Sequence, residues 1–106
     1  MEIKTHEKDG VLTVCLRGEL DHHGAVTARQ EIDAVIERTS PKKVVLSLGE
    51  VCFCDSSGLG LIMGRYKKAA SVGATLAVGD PSAAVERIMR LAGLTEIIKT
   101  ERSGVL

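Results

Sequence analysis

Asp9-Gly10 separates two runs in which apolar and polar residues alternate, residues 3–7 and residues 11–16, with Leu12, Val14 and Leu16 on one face of the second. A type I′ turn needs positive φ at both central residues, which Asp-Gly supplies, so the chain is predicted to open as an antiparallel hairpin. The apolar period then changes. Over residues 23–38, Ala25, Ala28, Ile32, Val35 and Ile36 form a helical stripe opposite Arg29, Glu31, Asp33 and Glu37, and Ser40-Pro41 ends it.

Strand and helix signals alternate from there. Residues 44–48, Val-Val-Leu-Ser-Leu, form a short run of the kind that a parallel sheet covers on both faces. A loop is expected from Glu50 to Asp55, then a helix over residues 57–71 with Leu59, Ile62, Met63, Tyr66 and Ala70 inward and Arg65, Lys67 and Lys68 in water. Gly73 supplies its stop. Residues 75–78 form a further strand, and Asp80-Pro81-Ser82 opens a third helix that packs Val85, Ile88, Met89 and Ala92 before Gly93 closes it. Ile97-Ile98 is expected to make a last short strand, and residues 100–106 carry no clear signal.

The resulting order, β-β-α-β-α-β-α-β, is that of an α/β fold. Right-handed crossovers after the hairpin give a mixed sheet of four to five strands with three to four helices covering at least one face. With 106 residues the chain makes one compact domain, residues 1–106. Its only aromatics are Phe53 and Tyr66, so the core is aliphatic and platforms for stacking bases are missing. Equal numbers of basic and acidic residues, 14 of each, give no electrostatic footprint for nucleic acid.

The longest stretch without a charged residue, 69–79, is too short for a membrane span. The N-terminal residues mix acid and base without an apolar run, so no secretory signal is visible and a cytoplasmic location is expected. Cys15, Cys52 and Cys54 are an odd set without a disulfide framework, and Cys52-x-Cys54 lacks the second pair and nearby histidine of a zinc site. They are expected to be small buried hydrophobes.

Chemistry concentrates in Cys54-Asp55-Ser56-Ser57-Gly58-Leu59-Gly60, where a loop meets the second helix. The plainest reading is an Asp or Ser N-cap followed by incidental glycines. However, Gly58 and Gly60 weaken a first turn by about 1 kcal/mol each, and they strip side chains from the backbone beside two serines, where another molecule can approach. A nucleophile elbow is a poor fit because Cys54 stands where a glycine is needed and His6, His22 and His23 all precede the serine. A phosphate loop fits no better. Gly58, Gly60 and Gly64 miss the dinucleotide spacing, and Gly64-Arg65 lacks the Lys-Ser/Thr of a P-loop. The remaining reading is a serine that accepts a phosphoryl group at a helix N-terminus, where free N–H groups and the helix dipole stabilise the added charge.

Gly18-Glu19-Leu20-Asp21-His22-His23, Asp55-Ser56-Ser57-Gly58-Leu59-Gly60 and Gly64-Arg65-Tyr66-Lys67 together resemble the anti-sigma factor antagonists of the STAS domain family, in its sporulation branch. The resemblance covers nearly the whole chain. It implies a binding protein, not an enzyme, whose unphosphorylated form binds an anti-sigma factor serine kinase and frees a sporulation sigma factor. It also implies inactivation by phosphorylation and recovery through a serine phosphatase. In that family the second serine of Asp-Ser-Ser-Gly is the acceptor, which is Ser57 here. Glu19, Asp21, Asp55, Ser56, Ser57, Gly58 and Gly60 would form the partner surface, with Asp21 beside Ser57 and the two glycines admitting the kinase. No cofactor is implied for the chain itself, since ATP and Mg²⁺ belong to the kinase. An antagonist from another circuit, such as the general stress response, and a small nucleotide-binding or hydrolytic protein are the alternatives.

Overall fold

The computed structural model describes residues 1–103. Strands β1 (Glu2–Lys8) and β2 (Val11–Leu20) pair antiparallel, and Asp9 and Gly10 between them take φ of 54° and 80°, as the turn requires. Helix α1 (His22–Thr39), strand β3 (Lys43–Cys54), helix α2 (Ser56–Ser71), strand β4 (Thr75–Gly79), helix α3 (Ala83–Leu91), a single 3₁₀ turn (Leu94–Glu96) and strand β5 (Lys99–Glu101) follow. The five strands lie in sequence order across one sheet and are parallel from β2 onward.

Leu12, Val14 and Leu16 of β2 are buried against Ala28, Ile32 and Ile36 of α1 and Ile62 of α2 in one aliphatic cluster, while Cys15 and Arg17 on the other face of β2 stay exposed. Each fully buried Leu or Ile in this cluster contributes about 2 kcal/mol from removed apolar surface. Helix α1 ends where Ser40 turns left-handed and donates its N–H to the Ile36 carbonyl. Helix α3 starts at Ser82, whose Oγ accepts from the Val85 N–H and donates to the Val51 carbonyl, tying that helix to β3. Among the described residues no helix is long and apolar enough to cross a membrane.

Ala92, expected to pack inward on the third helix, is its exposed C-cap, and four further expectations need correction. Strand β3 does not stop near Leu48 but runs to Cys54, replacing the expected loop from Glu50. Its pairing with β4 ends at Ser47↔Gly79, whereas its pairing with β2 continues through two register shifts, so apolar alternation fails while the ladder persists. Second, the buried stripe of α2 is Gly58, Leu61, Ile62, Arg65 and Ala69, rotated by one position from the expected stripe; Leu59, Met63 and Tyr66 are only partly buried and Ala70 is exposed. Arg65 is inside because α1 supplies it with a carboxylate.

Third, Ile97-Ile98 is no strand: Ile98 is buried behind the 3₁₀ turn, and β5 begins at Lys99. Two residues of the stretch expected to lack structure, Thr100 and Glu101, therefore pair with β4, and its last three lie outside the described residues. Fourth, Cys15 and Cys52 are exposed and Cys54 is half-buried, so only the last resembles a core residue.

Candidate functional site at the start of the second helix

Leu20 and Cys54 are register partners at the carboxyl ends of β2 and β3, so α1 and α2 start side by side at that end of the sheet. Each is capped by the aspartate that follows its strand. Asp21 Oδ1 accepts the Gly24 N–H at 2.9 Å, and Asp55 Oδ1 accepts the Ser57 N–H at 2.8 Å. The Asp55 carbonyl also accepts from Gly58 and Leu59, which closes the first turn. Ser57 is therefore fixed at the second position of α2, half-buried, with Ser56 exposed before it. With these first-turn N–H groups already bonded to Asp55, it is the helix dipole that favours negative charge here.

The expected site residues do not share one hollow. Ser57 and Gly60 line a groove of about 400 Å³ between α1 and α2, together with His22, Val26, Arg29 and, two turns further along α2, Gly64 and Arg65. Glu19 and Asp21 line a separate hollow of about 460 Å³ with Met1, His23, Gly24 and Thr27. The first turn of α1 divides them, with His22 facing one hollow and His23 the other. The groove beside Ser57 is thus lined by Arg29 and Arg65, whereas Glu19 and Asp21, the acidic pair expected there, line the other hollow.

The two glycines also separate. A side chain on Gly60 or Gly64 would meet nothing within 4 Å, which leaves the groove open. Gly58 is buried, and a Cβ there would run into Cys54 Sγ and lie 3.1 Å from Leu20 Cγ. Its role is internal packing, so it offers no surface for a partner to approach. Burial, with Asp55 adding to it, pushes the Cys54 thiol up to about 11.

Arg65 is the residue that periodicity assigned to solvent. It is 5% exposed, and its Nε lies 3.0 Å from Asp33 Oδ1 on α1. Burial lowers its pKa, Asp33 opposes that and Arg29 adds to it. One signal for this groove was present in the sequence: Ser57, Gly60 and Gly64 follow the i, i+3, i+7 spacing of one helix face. Beside the site, Phe53 is the register partner of Glu19 and is 48% exposed, an apolar neighbour that the reading of a loop at residues 50–55 concealed.

Residues 2–104 match the STAS domain model. The chain belongs to the STAS domain family. This STAS domain is 42% identical over 98 residues to an anti-sigma F factor antagonist of Paenibacillus polymyxa, covering 92% of this chain and 84% of that protein. Among solved structures it resembles an anti-sigma factor antagonist from Mycobacterium paratuberculosis, with a TM-score of 0.85 and 29% identity over 94% of this chain and 84% of that one. It also resembles the anti-sigma factor antagonist SpoIIAA in its unphosphorylated form, with a TM-score of 0.79 and 25% identity over 93% and 87% of the two chains.

Proposed function

We propose that this STAS domain is an anti-sigma factor antagonist whose binding is switched by phosphorylation of Ser57. The unphosphorylated form docks on an anti-sigma factor that is also a serine kinase, and so releases a sporulation sigma factor to RNA polymerase. The observation that carries the reading is the placement of Ser57 itself: locked at the head of α2 by Asp55, half-exposed, on a groove that Gly60 leaves open.

In the switching step the Ser57 Oγ attacks the γ-phosphorus of ATP held with Mg²⁺ in the kinase. The new O–P bond forms as the bond to the β,γ-bridging oxygen breaks; ADP leaves, and the serine proton passes to a base of the kinase. The modification adds about two negative charges at a helix N-terminus, which tolerates them, so the fold persists while the docking surface changes sign. A face that accepted an acidic or apolar partner surface then repels it. A serine phosphatase hydrolyses the phosphoester and restores binding. The chain needs no catalytic group of its own.

The test is intact-mass analysis after incubation with ATP and Mg²⁺, with and without the cognate kinase. Gain of one phosphate only with the kinase, abolished by Ser57→Ala, supports the reading. Label at Ser56, or nucleotide turnover by this chain alone, would sink it.

A further inference from the structure

The charged and titratable residues that line the α1–α2 groove are Arg29, Arg65 and His22; no carboxylate lines it. Arg65 is 5% exposed; its Nε is ion-paired to Asp33 Oδ1 at 3.0 Å, and among the described residues Nε, Nη1 and that Oδ1 are buried without an aligned hydrogen bond. Asp33 thus leaves part of the donor capacity of this guanidinium unused, and the side chain lines the groove. Gly60 and Gly64 leave the approach to it clear, and Arg29 faces it from α1. Each guanidinium lowers the cost of holding an anion beside the other.

We propose that this groove is an oxyanion site in which Arg65 and Arg29 together hold a phosphate or carboxylate group. Arg65 brings a planar fork fixed in direction by burial and by its contact to Asp33, and Arg29 brings an exposed one. The oxyanion has two possible sources: a free anion, or the phosphoryl group on Ser57, whose residue lines the same groove. The second source rests on the phosphorylation reading above, whereas the first is independent of it.

The experiment is a titration of ¹H–¹⁵N spectra with sodium phosphate, against sodium chloride at matched ionic strength. The site requires saturable shifts at Gly60, Gly64 and the Arg65 Nε–H in phosphate, with affinity at least tenfold weaker in Arg29→Gln, an exposed substitution that leaves the Asp33–Arg65 contact in place. A second arm uses protein made with phosphoserine at position 57. If its phosphoryl group occupies the groove, the Gly60 and Gly64 shifts are present before any phosphate is added, Arg29→Gln reverses them, and free phosphate no longer titrates. If the free anion is the occupant, both forms titrate alike. Shifts no larger in phosphate than in chloride overturn the proposal when the phosphoserine form is also indifferent to Arg29→Gln. So does saturation that Arg29→Gln leaves unchanged.

Discussion

Arg65 Nε approaches Asp33 Oδ1 to 3.0 Å across the α1–α2 contact, with side-chain exposures of 6% and 26%. The carboxylate is the only counter-charge within ion-pair reach of that guanidinium among the described residues. Asp33→Asn removes it and is expected to destabilise the fold by about 2–4 kcal/mol, below the upper end for a fully buried pair because Asp33 keeps some solvent. Replacing both partners by apolar side chains, Asp33→Leu with Arg65→Met, should bring stability back to within about 1 kcal/mol of the starting protein. Urea melts of the single and double variants check this, and equal losses in both would contradict it.

The three glycines of α2 should respond oppositely to alanine. Gly60→Ala and Gly64→Ala place a methyl in open space and should each raise stability by about 0.5–1 kcal/mol through helix propensity. Gly58→Ala drives a methyl into Cys54 Sγ and Leu20, and should cost about 1–3 kcal/mol. Adding Cys54→Ala should recover part of that loss, which thermal melts of the pair would reveal. If Gly58→Ala is neutral, the packing argument is wrong.

Thiol modification should discriminate the cysteines. Cys15 and Cys52 are exposed, while Cys54 is half-buried with its thiol near 11. At pH 8 only about one Cys54 in a thousand is thiolate, so its alkylation should lag the other two by tenfold or more. Peptide mapping after timed iodoacetamide treatment measures the order.

The C-terminal edge should weaken in acid. Asp80 is held below the usual carboxylate range by the Ser103 N–H and then by the Ser103 hydroxyl, and Glu101 by its hydrogen bond from Lys43. A carboxyl whose pKa is lower folded than unfolded adds stability that is complete above its ordinary range and is lost as pH falls through the lowered value. Asp80→Asn with Glu101→Gln should therefore flatten the fall in Tm below about pH 4.5 relative to the parent protein. Parallel acid limbs for the two proteins would count against it.

Ser57→Asp puts a negative charge where the dipole of α2 favours one, so its melt should stay within about 1 kcal/mol of the parent protein. Under the proposed switch, its affinity for an anti-sigma factor kinase should fall at least tenfold by calorimetry. Retained affinity would separate the charge from the switch.

Much of the architecture was legible because local chemistry and tertiary context agree. Asp9-Gly10 demanded positive φ and takes it, and Asp21 and Asp55 cap the helices that follow them. Where they disagree, the sequence misled. Arg65 reads as a surface residue until α1 brings Asp33 to it, a contact between residues 32 positions apart that no window of periodicity contains. Gly58 reads as an opening until β2 and β3 converge and place Leu20 and Cys54 where its Cβ would stand. The end of β3 was lost because its ladder to β2 slips twice, which scrambles the alternation by which a strand is recognised.

The sheet order β1-β2-β3-β4-β5 has a kinetic meaning. Every strand joins an edge made by the strand just before it in the chain, so no element has to insert between two that are already paired. Assembly can follow synthesis from the amino terminus, beginning with a hairpin whose contacts are local and adding one helix and one strand at a time. Such a path keeps loop-closure entropy low at each step and leaves only one open edge waiting for the next addition.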